Sequence, residues 1–182
     1  GGCSFSSSQH PISIQVLHLK LESKVPAAII GLGSAKSEDE ADDFYWKIDN
    51  VVILQGSLYP SALPTIPWAI DAIQDATEVS RTRLLEILAQ IGLASVKEDG
   101  HPDEDFRLAC LCEISRGVSL YFHFIESENV DEVLNCIDLV SICAIHDRSL
   151  KSRAIWFLNK ISAARPGEGV GELIGNWIGD IG

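Results

Sequence analysis

The sequence has no methionine and few cations: 14 lysine and arginine residues stand against 26 aspartate and glutamate residues, for a net charge of −12. This shortage argues against nucleic-acid binding, which depends on lysine and arginine neutralising phosphates. It also argues against an anionic membrane surface as partner. The surplus of acid instead favours a basic protein partner. On charge alone, however, solubility is a sufficient explanation.

Long apolar runs are also missing, since none reaches the roughly 18 residues that span a bilayer. No basic stretch followed by an apolar one marks a signal peptide. The Gly1-Gly2 start and the lack of methionine indicate a processed or engineered N-terminus, which leaves a removed leader open. Five cysteines are an odd number, and their spacing matches no disulfide framework. Most of them lie in apolar helical stretches, so we expect free thiols and a cytoplasmic protein.

Signatures of catalysis and metal binding are equally scarce. There is no Gly-x-Ser-x-Gly motif, and the segment Gly31-Leu32-Gly33-Ser34 is too short for a phosphate-binding loop. Cys143 and His146 could share one helix face, but Cys110-Leu111-Cys112 lacks the two-residue gap of a zinc knuckle. We therefore expect no enzymatic activity, no metal and no cofactor.

Helical periodicity is the strongest pattern present. Ser37 and Glu40 form a capping box, after which apolar residues recur at helical spacing as far as the turn at Gly56. A leucine-rich helix is predicted over residues 77–94. Helices joined by tight turns make αα-hairpins, the unit of helical solenoids. The sequence thus predicts an all-α fold of stacked helical hairpins.

Proline interrupts the segment between these helices. Pro64 and Pro67 each remove an amide and clash with the preceding turn. We therefore expect a short turn at residues 61–63 and a helix only from about Pro67 to Asp75.

Four further helices are predicted in the second half of the chain. The first is long, running from about Asp103 to Glu126. Asn129 is the predicted cap of the next, with Glu132 at the capping-box position, and Ser149 begins a third that ends at residues 165–167. The glycine-containing tail should dock as a terminal helix.

The N-terminal residues stand apart from this pattern. Residues 1–11 are rich in serine, which predicts disorder or loose packing. Residues 12–21 alternate apolar and polar side chains, which permits either a strand or a short helix. Pro26 suits the first turn of a helix. We expect a partly disordered extension over residues 1–24 and a single helical domain over residues 25–182.

Residues 25–93 resemble a bacterial family of HEAT-like repeat proteins. The matching segments are Gln55-Gly56-Ser57-Leu58-Tyr59-Pro60, Ile66-Pro67-Trp68-Ala69-Ile70 and Arg83-Leu84-Leu85-Glu86-Ile87-Leu88. The resemblance implies a short right-handed α-solenoid without enzymatic activity. Many proteins of this kind lie beside secreted bacterial toxins and act as cognate immunity proteins.

We therefore expect a protein-binding module, most specifically an immunity protein that neutralises a toxin, such as a nuclease, through an acidic surface. A general HEAT-repeat scaffold or regulator and a HEAT-like enzyme acting on nucleic acid are the alternatives. Neither nucleic acid nor membrane is an expected partner. The candidate contacts lie in three acidic clusters, each equally explained as a helix N-terminus: Glu38, Asp39, Asp42 and Asp43; Glu98, Asp99, Asp103, Glu104 and Asp105; Glu126, Glu128, Asp131 and Glu132.

Overall fold

A computed structural model of the protein describes residues 24–54, 57–96, 104–167 and 169–182. The described residues form nine α-helices, one 3-10 helix and two very short strands. In chain order these are α1 (Val25–Ser34), α2 (Glu38–Val52), β1 (Ile53–Leu54), β2 (Ser57–Leu58), α3 (Ala62–Ile73), α4 (Glu78–Val96), α5 (Glu104–Ser115), α6 (Val118–Phe124), α7 (Val130–His146), the 3-10 turn (Arg148–Leu150), α8 (Lys151–Ala164) and α9 (Val170–Ile181). The predicted all-α class is confirmed.

The helices pack in two ways. Neighbours along the chain lie together, α1 on α2, α3 on α4, α6 on α7 and α8 on α9. In addition α2, α4, α7 and α9 form a succession in which each helix packs on the next. One apolar core extends through these contacts from Val25 to Ile181. None of the described helices is long and apolar enough to cross a membrane.

The connection between α2 and α3 is held by short hydrogen bonds. Strands β1 and β2 pair antiparallel, with Ile53 opposite Leu58. The Ser61 hydroxyl donates to the Val51 carbonyl at 2.6 Å, within the buried interior. The predicted turn residues Gln55 and Gly56, like the segment at residues 12–21, lie outside the described residues.

Helix α3 corrects the prediction made from its prolines. It runs without a break over Ala62–Ile73, with Pro67 inside it. Pro64 falls in the first turn, where an amide has no partner within the helix. An interior proline costs about 3 kcal/mol, but Ile66 and Ile73 are fully buried and each contributes roughly 1.5–3 kcal/mol. Burial of the apolar face therefore outweighs the cost of Pro67.

The long helix predicted as far as Glu126 is divided into α5 and α6 at Arg116 and Gly117. The buried hydroxyl of Tyr121 donates to the carbonyl of Ile114 at 3.0 Å, where the first helix ends. A Cβ atom at residue 117 would collide with that hydroxyl. Glycine at this position therefore lets the tyrosine side chain close the end of α5.

The remaining helices match their predictions more closely. The Asn129 side chain accepts from the amides of Asp131 and Glu132 and caps α7. Glu132 does not complete a capping box, because its side chain turns into the core. The tail helix α9 packs on α7 and α8.

We predict that Gly117→Ala lowers the free energy of unfolding by about 1–3 kcal/mol, because the new methyl group displaces the Tyr121 hydroxyl. Urea unfolding measures the change. The matched control is Gly175→Ala, where a Cβ meets nothing within 4 Å, so stability should rise by roughly 0.5–1 kcal/mol. Equal effects of the two substitutions would contradict the explanation.

Candidate partner-binding surface

Helices α2 and α4 are joined by a network of polar side chains on their outer face. The Tyr45 hydroxyl donates to Glu86 Oε1 at 3.0 Å and accepts from Gln90 Nε2 at 2.8 Å. Arg83 lies 2.8 Å from Glu86 Oε2 and 2.6 Å from Asp42 Oδ1. This arrangement fixes two carboxylates in place around one guanidinium group.

Burial affects the titration of this network. It raises the pKa of Tyr45 far above its ordinary value, and the neighbouring Glu86 carboxylate adds to the effect. Burial also raises the pKa of Asp49, again with a contribution from Glu86. Asp49 and Glu86 are therefore close enough to repel each other, and this face carries more negative charge than Arg83 neutralises.

Helices α4 and α7 are joined by an ion pair in their interface. Arg81 Nε lies 2.7 Å from Glu132 Oε1, and the carboxylate is fully buried. The contact lacks hydrogen-bond geometry, so its stabilising part is the attraction of the two charges. The Arg81 guanidinium also stacks on the Phe124 ring, 4.6 Å from its centroid. Glu132 thus holds two helices together and has no exposed surface to offer a partner.

A groove of about 280 Å³ opens between α4 and α7 beside this pair. Asn135 donates to the Thr82 carbonyl at 3.4 Å across its floor. The two carboxylates among its lining residues come from different helices, Glu86 from α4 and Asp131 from the first turn of α7. The groove is lined by Thr82, Arg83, Glu86, Asp131, Leu134 and Asn135.

The same face continues from α7 to α9. Trp177 Nε1 donates to Asp138 Oδ1 at 2.7 Å. Burial raises the pKa of Asp138, while the hydrogen bond from Trp177 opposes the shift. We use the term acidic face for the outer side of α2, α4 and α7, defined by Asp42, Asp49, Glu86, Asp131 and Asp138.

The structure separates the three predicted clusters. From the first, Glu38, Asp39 and Asp43 are exposed and Asp42 pairs with Arg83. From the second, Glu104 and Asp105 are exposed at the start of α5, whereas residues 98, 99 and 103 lie outside the described residues. From the third, Glu126 pairs with Lys160, Glu128 and Asp131 are exposed, and Glu132 is buried. Only Asp42 and Asp131 belong to the acidic face.

Sequence reasoning missed Glu86, Asp49 and Asp138. Arg83, Glu86 and Gln90 recur at helical spacing on α4, so their common polar side could be read from the sequence. The sequence does not show which helices flank this polar side, because the contacts between α2, α4 and α7 join residues that are far apart in the chain.

Several cations lie on α8 and the turn before it. Arg153 stacks on the Phe122 ring at 4.1 Å, and Lys160 pairs with Glu126. Lys151 donates to the carbonyl of Gly182 at 2.8 Å. These three bases are engaged with other groups of the chain.

No metal centre is formed within the described ranges, since no three His, Cys, Asp or Glu side chains there converge suitably. When compared with protein families, curated proteins and solved structures, the chain matches none of them.

We predict that Arg81→Leu destabilises the fold by about 3 kcal/mol or more, because it leaves the buried Glu132 carboxylate unpaired. Replacing both residues by leucine should recover most of the loss, since a buried ion pair and an apolar pair contribute similarly. Urea unfolding of the two variants provides the comparison. If the double variant is as unstable as the single one, the unpaired charge is not the cause.

A second prediction concerns Asp138. The pKa of Asp138 is raised in the folded state, so its ionised form opposes folding. This destabilisation is present at neutral pH and is lost as pH falls through the folded pKa, because the carboxyl group becomes protonated. Asp138→Asn keeps an acceptor for Trp177 and removes the charge, so we expect higher stability than wild type at neutral pH and a smaller difference in acid. Thermal unfolding at both pH values measures this.

The control is Asp138→Leu, which removes the acceptor and leaves the buried Trp177 indole N–H unpaired. It should cost about 1–3 kcal/mol. A gain of stability from both substitutions would mean that the hydrogen bond contributes nothing.

Proposed function

We propose that the protein is a non-enzymatic binding module that presents its acidic face to a basic protein, and that its specific role is that of an immunity protein neutralising a bacterial toxin domain. The observation that carries the proposal is the acidic groove between α4 and α7, where Glu86 and Asp131 project from two different helices. Helix packing, the charge distribution and the HEAT-like sequence resemblance give further support to the proposal.

The packing of the helices supports a repeat architecture. Four hairpins can be traced, in which α2, α4, α7 and α9 are the second helices and contact one another in order. In helical-repeat proteins such a row of second helices makes a continuous surface for a partner. We interpret the fold as a short HEAT-like α-solenoid in which the row of second helices carries the acidic face on its outer side.

The charge distribution supports a basic partner. A toxin that acts on nucleic acid must be positive where it holds phosphate. An acidic inhibitor would reach that site quickly through long-range attraction and cover it. Lys151, Arg153 and Lys160 of α8 already contact other groups of the chain.

An aromatic side chain lies beside the acidic face. Trp46 on α2 is 57% exposed, and Asp42 and Asp49 lie four residues before and three after it, on neighbouring helical positions. Tryptophan is enriched among residues that dominate binding energy. A lysine or arginine of the partner could stack on this ring while pairing with the carboxylates.

The test begins with a pull-down from cells that carry the native locus, followed by purification of the recovered partner. Its affinity for the wild-type chain should fall steeply with added salt. Asp49→Asn combined with Asp131→Asn should weaken binding about tenfold at low salt, equivalent to about 1.4 kcal/mol. The charge-matched control is Asp71→Asn with Asp75→Asn, both exposed near the end of α3, which should change affinity less than about twofold.

A second pair of variants tests the aromatic contact. Trp46→Ala should weaken binding by at least about tenfold, whereas Trp156→Ala, which removes an equally exposed ring on α8, should not. An acidic partner, an affinity indifferent to salt, or equal effects of the matched variants would refute the proposal. Rescue of growth on co-expression with the recovered toxin is the expected result for an immunity protein.

A further inference from the structure

An exposed thiol and an imidazole meet where α5 and α7 come together. Cys112 Sγ lies 3.5 Å from His146 Nε2, within hydrogen-bonding distance for sulfur. Cys112 is exposed, whereas the side chains of Cys110, Cys136 and Cys143 are fully buried. Among the described cysteines, Cys112 therefore combines access to solvent with a neighbouring base.

His146 is the last residue of α7, and its Nε2 faces the thiol of Cys112. A thiolate next to an imidazolium is the nucleophilic form of cysteine. The charged residues around the pair are Glu104 and Arg107 on α5, Glu113 beside Cys112 in the chain, and Asp147 beside His146.

A cleft of about 220 Å³ opens at the same imidazole. His146 forms part of its wall, together with the apolar side chains of Leu108, Leu111 and Ile145 and with the charged groups of Glu104 and Arg107. The cleft adjoins the thiol through His146, because Cys112 Sγ contacts the same imidazole. The exposed thiol and its base can therefore be approached from solvent.

We propose that Cys112 is a site of reversible mixed-disulfide formation with a low-molecular-weight disulfide such as glutathione disulfide, with His146 as the proton acceptor. The imidazole takes the thiol proton, and Cys112 Sγ attacks one sulfur of the incoming disulfide. A new S–S bond forms, the original S–S bond breaks, and the released thiolate takes the proton from the imidazolium. Cys112 is oxidised and the released half of the disulfide is reduced, so no further oxidant is required.

The buried cysteines explain why the reaction should be selective. Burial raises the pKa of Cys110 and of Cys143 to about 11 and raises that of Cys136 further. These groups stay protonated at neutral pH, and the core keeps reactants from them. Attack at Cys112 needs no unfolding.

The experiment uses the full chain with Cys3→Ser, so that the N-terminal thiol does not contribute. The folded protein is incubated with glutathione disulfide at neutral pH and followed by intact mass. We expect one glutathionyl group per chain, located at Cys112 by peptide mapping, removed by dithiothreitol and absent from the Cys112→Ser variant. His146→Gln should slow the reaction about tenfold or more. A positioned general base contributes roughly 10²–10⁴ in rate, and we expect the lower end of that effect because this pair is open to water.

The matched control is His123→Gln, which removes another exposed imidazole, on α6, and should leave the rate unchanged. Circular dichroism verifies that each variant is folded. Modification of a buried cysteine before Cys112, a rate unaffected by His146→Gln, or equal slowing by the two histidine variants would overturn the proposal. A second measurement is the rate at which iodoacetamide alkylates Cys112. This rate should depend on His146 in the same way, because alkylation needs the same thiolate.

Discussion

The packing of α4 against α7 is the constraint on which the rest of the structure depends. Both helices are buried on more than one side, and each contacts four or more other helices. Their interface contains the ion pair of Arg81 with Glu132 as well as apolar side chains. A buried pair of charges contributes little net stability compared with apolar residues, but it penalises any arrangement that separates the partners. We infer that it fixes the register in which the two helices meet, and with it the shape of the groove beside them.

Local sequence patterns predicted the helices well and their junctions poorly. The caps at Ser37 and Asn129 are visible because a capping side chain acts on amides two or three residues away. The course of α3 was not visible, because the energy that tolerates Pro67 comes from burial against other helices. The break at Gly117 was hidden in the same way, since it depends on where the Tyr121 ring lies.

The candidate surface shows the same limit. Runs of acidic residues drew attention to helix N-termini, where carboxylates stabilise the free amides and the helix dipole. In the fold, the acidic face includes a second kind of acidic residue: Glu86, Asp49 and Asp138 occur singly in the sequence, on three different helices, and packing places Asp49 near Glu86. Glu132 shows the opposite case. It was predicted as a partner contact because of its charge, but its carboxylate is buried in the core and pairs with Arg81. Carboxylates that are exposed differ from carboxylates that are paired in the core in their solvent exposure and in their contacts. Neither property can be predicted from the sequence of a single helix.

Arg83 divides the negative charge of the acidic face, and under the proposed function this bears on which partner would bind. Its guanidinium already pairs with Asp42 and Glu86, so a cation from outside gains most from Asp49 and Asp131, which lack such a partner among the contacts described. These two carboxylates lie on either side of the arginine, on α2 and on α7. Because Asp42 and Glu86 more than neutralise Arg83, a proposed partner with one cation would gain one new ion pair on this face, whereas a partner with two cations spaced to reach both Asp49 and Asp131 would gain two. Specificity is a difference of affinities between partners, so the spacing of these two carboxylates would favour, among basic proteins, those whose cations match it.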